Sequence, residues 1–153
     1  MKLSLRGEYA LRALIVLGQS DRKSIVRIQT ISDEQNIPRR FLSQILNELR
    51  AAGIIESRLG AAGGYRMIKA PDKVSLASII RHIEGPLAPV SCVSERFYAP
   101  CTCPDETKCA VRNVMREVRE AIVGILETVT VADLCARAKK LEAVPANPLD
   151  YVI

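Results

Sequence analysis

Four thiols, Cys92, Cys101, Cys103 and Cys109, fall within SCVSERFYAPCTCPDETKCAV, residues 91–111, a polar stretch that also holds Pro100 and Pro104. Thiolate sulfur is the usual ligand of iron–sulfur clusters and suits zinc as well. The stretch lacks the paired Cys-x-x-Cys knuckles of most structural zinc sites, which shifts weight toward a cluster. A disulfide framework is the other use of crowded cysteines. With 153 residues and 48% hydrophobic side chains the chain can bury a core without cross-links, and a fifth cysteine, Cys135, makes the set odd. Cys135 stands alone in an apolar pattern and reads as a buried thiol. His82, the single histidine, lies off the apolar stripe of its segment and reads as solvent-facing. No acid–base or nucleophile set surrounds it, and neither a nucleotide-cofactor motif nor a thioredoxin-type Cys-x-x-Cys occurs, so the chain does not read as an enzyme.

The elements that must position these thiols follow from periodicity. The opening MKLSLRGEYALRALIVLG is interrupted by Arg6, Glu8 and Arg12, too short for a signal or membrane segment, so a cytoplasmic, reducing location and no membrane partner are expected. Ala10, Ala13, Leu14 and Leu17 predict an amphipathic helix over residues 4–19. A short strand at Ile25–Arg27 and a helix over about Ile28–Gln35 come next. A second helix starts at Pro38 after the tight connection Asn36-Ile37-Pro38. Its apolar face is Leu42, Ile45, Leu46 and Leu49; its polar face is Arg39, Arg40, Ser43, Gln44, Asn47 and Arg50. Arg can grip guanine, and Asn and Gln adenine, from such a face, which alone reads equally as a solvated surface. Strands at Ile54–Arg58 and Tyr65–Lys69, around the tip LGAAGG, complete a winged helix-turn-helix. Gly63 and Gly64 let backbone approach a phosphate or groove, with Arg58, Tyr65 and Arg66 beside them. The charge agrees: residues 1–73 carry 13 Lys or Arg against 7 Asp or Glu, net +6, and residues 74–153 carry 9 against 10, net −1, giving the overall +5.

A third helix with Leu76, Ile79, Ile80 and Ile83 ends at Gly85-Pro86, and the cysteine loop follows. Beyond it Val111, Met115, Val118, Ile122, Ile125 and Val129 make a heptad seam, widened by Val114 and Ala121. Packing against a second copy buries such a stripe and places two reading heads on an inverted repeat of double-stranded DNA; packing back on its own domain is the alternative. The predicted fold class is mainly α with a small β-wing. The division is 1–84 as winged helix-turn-helix domain, 85–107 as cysteine-rich cluster-binding loop, 108–141 as dimerisation helix and short following helix, and 142–153 as tail.

The chain to about Leu141 resembles the IscR/NsrR-type family of dimeric winged-helix iron–sulfur transcriptional regulators. The matching pieces are MKLSLRGEYALRAL, IPRRFLSQILNELRAAGIIES, RLGAAGGYRM, the cysteine loop and ILETVTVADL. The resemblance implies an iron–sulfur cluster, 2Fe–2S or 4Fe–4S, on Cys92, Cys103 and Cys109, whose state controls DNA binding in response to iron, redox or nitric oxide. The sequence departs from the family where IscR-like members place a histidine three residues after the last cysteine, because Arg112 stands there and arginine keeps its proton. That leaves Cys101, or Glu8 of the partner subunit, as the completing ligand. A zinc-containing or metal-free thiol-responsive DNA-binding regulator is the alternative reading.

Overall fold

A computed structural model describes residues 3–143 and begins with a capped helix. The Ser4 hydroxyl accepts from the Gly7 N–H and starts α1 (Leu5–Gln19). Ala10, Ala13, Leu14 and Leu17 of α1 are buried, as their spacing predicts, and the two alanines let neighbouring helices approach closely. Helix α2 (Ile28–Gln35) closes on Asn36, whose left-handed backbone (φ 49°) suits a helix-ending asparagine. Ile37 is buried, and α3 runs Arg39–Ala51 with Pro38 as the residue before it. Pro38 therefore caps the helix from outside rather than occupying its first turn. Leu42, Ile45, Leu46 and Leu49 all face the core.

The wing pairs β1 (Ile55–Arg58) with β2 (Gly64–Met67) antiparallel, in register from Ile55 opposite Met67 to Arg58 opposite Gly64. The strand predicted at Ile25–Arg27 shrinks to a single bridge, Val26 to Tyr65, with both backbone bonds at 2.8 Å. That bridge dictates one glycine. A Cβ on Gly64 would lie 2.3 Å from the Val26 carbonyl oxygen, and one on Gly63 would lie 2.3 Å from that of Arg58. The missing side chains are thus used by the hairpin itself.

Helix α4 (Leu76–Glu84) leads into the cysteine loop, and α5 (Ala110–Thr128) leaves it. No residue of α5 is fully buried. Val123 and Leu126 turn toward the core, whereas Val111, Val114, Val118 and Ile125 are exposed. The predicted seam therefore needs correction at its C-terminal end and in the middle. Val129 is the residue after α5, extended and packed on the core, with its carbonyl accepting from Leu76 N–H at 2.9 Å. Met115 and Ile122 are half-buried, and the exposed apolar stripe instead runs 111, 114, 118, 121 and 125. Helix α6 (Val131–Glu142), capped by reciprocal Thr130–Asp133 bonds, also departs from the predicted division. It is the predicted short following helix, but its Val131 and Cys135 lie in the same core as α1, α3 and α4, so it packs with the N-terminal unit. Cys135 is buried against Ile15 and Gly18, as expected for a packing thiol. The tail predicted from residue 142 lies, from 144 on, outside the described residues.

Replacing Gly64 with Ala puts a methyl group against a backbone oxygen. The expected loss is about 1–3 kcal/mol, read as a lower urea midpoint with an unchanged slope.

Candidate metal centre and nucleic-acid interface

The cysteine loop has almost no regular structure, and arginines of α5 hold it in place. Arg112 Nε donates to the Cys92 carbonyl at 3.2 Å, and Arg119 Nη1 donates to that of Val93 at 3.1 Å. Cys92, in a 3₁₀ turn over Ser91–Val93, is buried; Cys101, Cys103 and Cys109 are half-buried, and all five cysteines are free thiols. Cys109 is the N-cap of α5, and its sulfur accepts from the Arg112 backbone N–H at 3.4 Å.

The thiols converge. Sγ of Cys103 lies 3.4 Å from Sγ of Cys109. Cys101 forms a group with Cys92 and Glu106, whose ligand atoms all lie within 4.8 Å of one another. The thiols thus fall into two neighbouring sets, Cys103 with Cys109 and Cys92 with Cys101 and Glu106. Glu106 was not singled out from the sequence, because a carboxylate in an aperiodic loop carries no pattern. Its Oε2 accepts from the Tyr98 hydroxyl at 2.6 Å, while Oε1 is buried without a hydrogen-bond donor, 3.3 Å from Arg112 Nε. Glu8 does not join this group within the chain; it sits exposed on α1 and pairs with Arg12 at 3.2 Å.

The environment separates the thiols. The helix-start N–H of Arg112, and then the Cys103 contact, lower the pKa of Cys109. Hydrogen bonds to Cys101 and Cys109 push Cys103 up to about 12. Burial, reinforced by Cys101, raises Cys92. A lowered pKa populates the nucleophilic thiolate at lower pH.

On the other side of the molecule, Arg27, Arg39, Arg50 and Arg58 gather around one concave surface between α2, α3 and the wing, together with Asn47, Gly63, Gly64 and Tyr65. Arg50 Nη1 donates to Ser57 Oγ at 3.2 Å, which ties the end of α3 to the wing. Arg27 was missed because the sequence placed it in a strand; it is the exposed N-cap of α2. Arg40 is exposed, Ser43 is half-buried, and Gln44 lies toward α1 beside Phe41 and Leu5. Arg66 is paired with Glu56 across the hairpin. Arg39, Arg40 and Arg58 make no ion pair among the described residues. His82 is exposed, as its position off the stripe predicts.

A basic helix-turn-helix with a wing and a thiol-bearing loop finds its match among known families: the pattern of Rrf2, described as iron-dependent transcriptional regulator, covers residues 3–137. The chain belongs to the Rrf2 family. Protein rrf2 of Nitratidesulfovibrio vulgaris is 34% identical over 134 residues, 88% of this chain and 87% of that protein. The structure of CymR, the global cysteine regulator of Bacillus subtilis, is similar with a TM-score of 0.75 at 28% identity, over 90% of this chain and 98% of that one. The structure of T. potens IscR, at 23% identity and a TM-score of 0.72, covers 95% of this chain and 94% of that one and shows the shared fold. As an Rrf2 protein the chain is a DNA-binding transcriptional regulator and not an enzyme. No helix among the described residues is long and apolar enough to cross a membrane.

Two outcomes are expected. In metal-free, reduced protein, iodoacetamide should modify Cys109 first and at the lowest pH between about 6 and 9, with Cys103 later and Cys92 and Cys135 slowest. Mass-spectrometric mapping reads the order, and a different first site would refute the assignment. For DNA, Arg40→Ala and Asn47→Ala should cost about 1–3 kcal/mol on the specific operator and little on random duplex. Arg58→Ala should weaken both and flatten the salt slope by about one, measured by fluorescence anisotropy.

Proposed function

We propose that this Rrf2 regulator carries an iron–sulfur cluster, 2Fe–2S or 4Fe–4S, on its cysteine loop, and that the state of the cluster sets its occupancy of inverted-repeat DNA as a homodimer. The observation that carries this reading is the gathering of thiols on one loop, Cys92 with Cys101 and Cys103 with Cys109, beside a buried Glu106 oxygen without a donor. This donor set fits the group: soft thiols predominate, and Arg112 stands beside them with a positive charge that offsets the negative charge of a thiolate-ligated cluster. In this reading Cys92, Cys103 and Cys109 are the common ligands. Cys101 completes the set within the chain, and Glu8 from a second copy is the competing donor. A bound cluster supplies reactivity toward oxidants, nitric oxide and loss of iron.

The chain's own residues supply the coupling. Arg112 and Arg119 fasten the loop to α5, and α5 returns through Val129 to a backbone bridge at the start of α4. Helix α4 packs on α1, which packs on α3. A change in the order of the loop thus reaches the reading helix through packed elements, with coupling of about 1–3 kcal/mol expected for such a switch. The exposed stripe Val111, Val114, Val118, Ala121 and Ile125 at three- and four-residue steps supports pairing of α5 with a second copy.

The 3.4 Å separation of Cys103 and Cys109 favours a second reading, a thiol-responsive regulator. Peroxide would take two electrons from the two thiols, forming a disulfide and water.

Anoxic purification separates the readings. The cluster form is expected to be red-brown with iron and sulfide in near-equal amounts, and Cys92→Ala, Cys103→Ala or Cys109→Ala should bleach it. If Cys101 is the fourth ligand, Cys101→Ala bleaches the protein and Glu8→Ala leaves the spectrum intact; the reverse pattern assigns Glu8. A colourless protein with zinc, or with no metal, would sink the cluster reading.

A further inference from the structure

A cleft of about 180 Å³ lies where the end of α4, the segment after Cys92 and the middle of α5 meet. This is smaller than the roughly 300–1,000 Å³ of sites for drug-sized ligands, so a nucleotide does not fit. Its polar side is made by Arg81, Arg96 and Arg119, and its apolar side by Leu87, Phe97 and Val123.

Arg119 is the unusual member. Its side chain is only 14% exposed, yet its Nε is buried with no hydrogen-bond partner. Its Nη1 donates to the Val93 carbonyl, and its Nη2 donates to Glu95 Oε1 at 2.5 Å. The Nε–H and one N–H of Nη2 point in parallel from the same edge of the planar guanidinium, the edge that takes a carboxylate through both oxygens. Glu95 occupies Nη2. It approaches from solvent, 73% exposed, and the other half of the edge has no acceptor.

The charges around the cleft also leave room for one anion. Arg81 is paired with Glu127 at 2.7 Å, Arg119 with Glu95, and Arg96 makes no ion pair among the described residues. Three guanidinium groups face two carboxylates. The apolar wall of Leu87, Phe97 and Val123 suits a short alkyl or phenyl body rather than a fully hydrated ion such as phosphate.

We propose that this cleft binds a small monocarboxylate with a short apolar body, whose carboxylate takes the Nε–Nη2 edge of Arg119 in place of Glu95. The site goes beyond the cluster reading and does not depend on it, since none of its lining residues is a thiol. Nη1 stays on the Val93 carbonyl when the ligand is bound. Occupancy therefore braces the residue next to Cys92 while freeing the Glu95 arm, which gives the regulator a second, metabolite-sized input.

Calorimetric titration of the full chain with isovalerate and benzoate tests the site, with isovaleramide, benzamide and inorganic phosphate as controls. Saturable binding of both carboxylates is expected, at least about tenfold tighter than the matching amides and than phosphate. Glu95→Gln, which removes the competing carboxylate, should tighten isovalerate at least about tenfold. Val123→Phe, which fills the cleft, and Arg119→Lys, which keeps the charge but loses the two-pronged edge, should each weaken it by a similar factor. The proposal falls if amide and carboxylate bind alike, if phosphate binds as tightly as isovalerate, if Glu95→Gln brings no gain, or if neither carboxylate saturates by about 10 mM.

Discussion

The close packing of one small-residue helix governs this molecule. Ala10, Ala13 and Leu14 of α1 are wholly buried, and α2, α3, α4, α6 and β2 all contact that helix. An interior of this density transmits displacement, because side chains fitted in this way cannot shift singly. Helix α3 has its orientation fixed from behind by α1, leaving its arginines and Asn47 to face outward. Large residues at positions 10 or 13 would push α3 and α4 apart together, and the geometry of the wing with them.

The cysteine loop obeys a different economy. It has no apolar core of its own beyond Cys92 and Val93, and what holds it are side-chain bonds from α5 to its carbonyls. Thiols and a carboxylate crowd at its centre, a costly arrangement for charged forms without a cation, as the pKa of Cys103 near 12 illustrates. A metal group bound there would replace the missing core with coordinate bonds and would release protons as it formed. The same features that make the loop loosely folded make its order sensitive to what it binds.

Much of this was legible in the sequence where a local rule has one solution. The reading of α2 as about Ile28–Gln35 matches its bounds, and α3, the hairpin and Cys135 follow from patterning and glycine placement. Of the α5 seam read from the sequence, Val111, Val118 and Ile125 lie on the exposed face, Met115 and Ile122 are half-buried, and Val129 lies past the helix end on the core. Val123 and Leu126 face inward, and Val111, Val118 and Ile125 face outward, and a three-four repeat does not tell which stripe a tertiary neighbour has covered. Placement of α6 in the core depends on a long-range bridge between Ser75 and Thr130, which no local pattern encodes. The thiols of the site were evident from residue type, whereas Glu106 and Arg27 gained their roles only through proximity in space.

The junction between α4 and the loop has a mechanical consequence. Ser4, at the head of α1, donates to Glu84, the last residue of α4, and Gly85 follows with φ at 90° and open space where a Cβ would be. Within the first turn of α1, Arg6 is paired with Glu48 on α3. The loop is thus hung from a pivot whose fixed side is anchored a single helical turn from α3. In the proposed switch, a swing of the loop about Gly85 would act on a short lever arm, so a small torque at the thiol centre would be felt close to the helix proposed to read DNA.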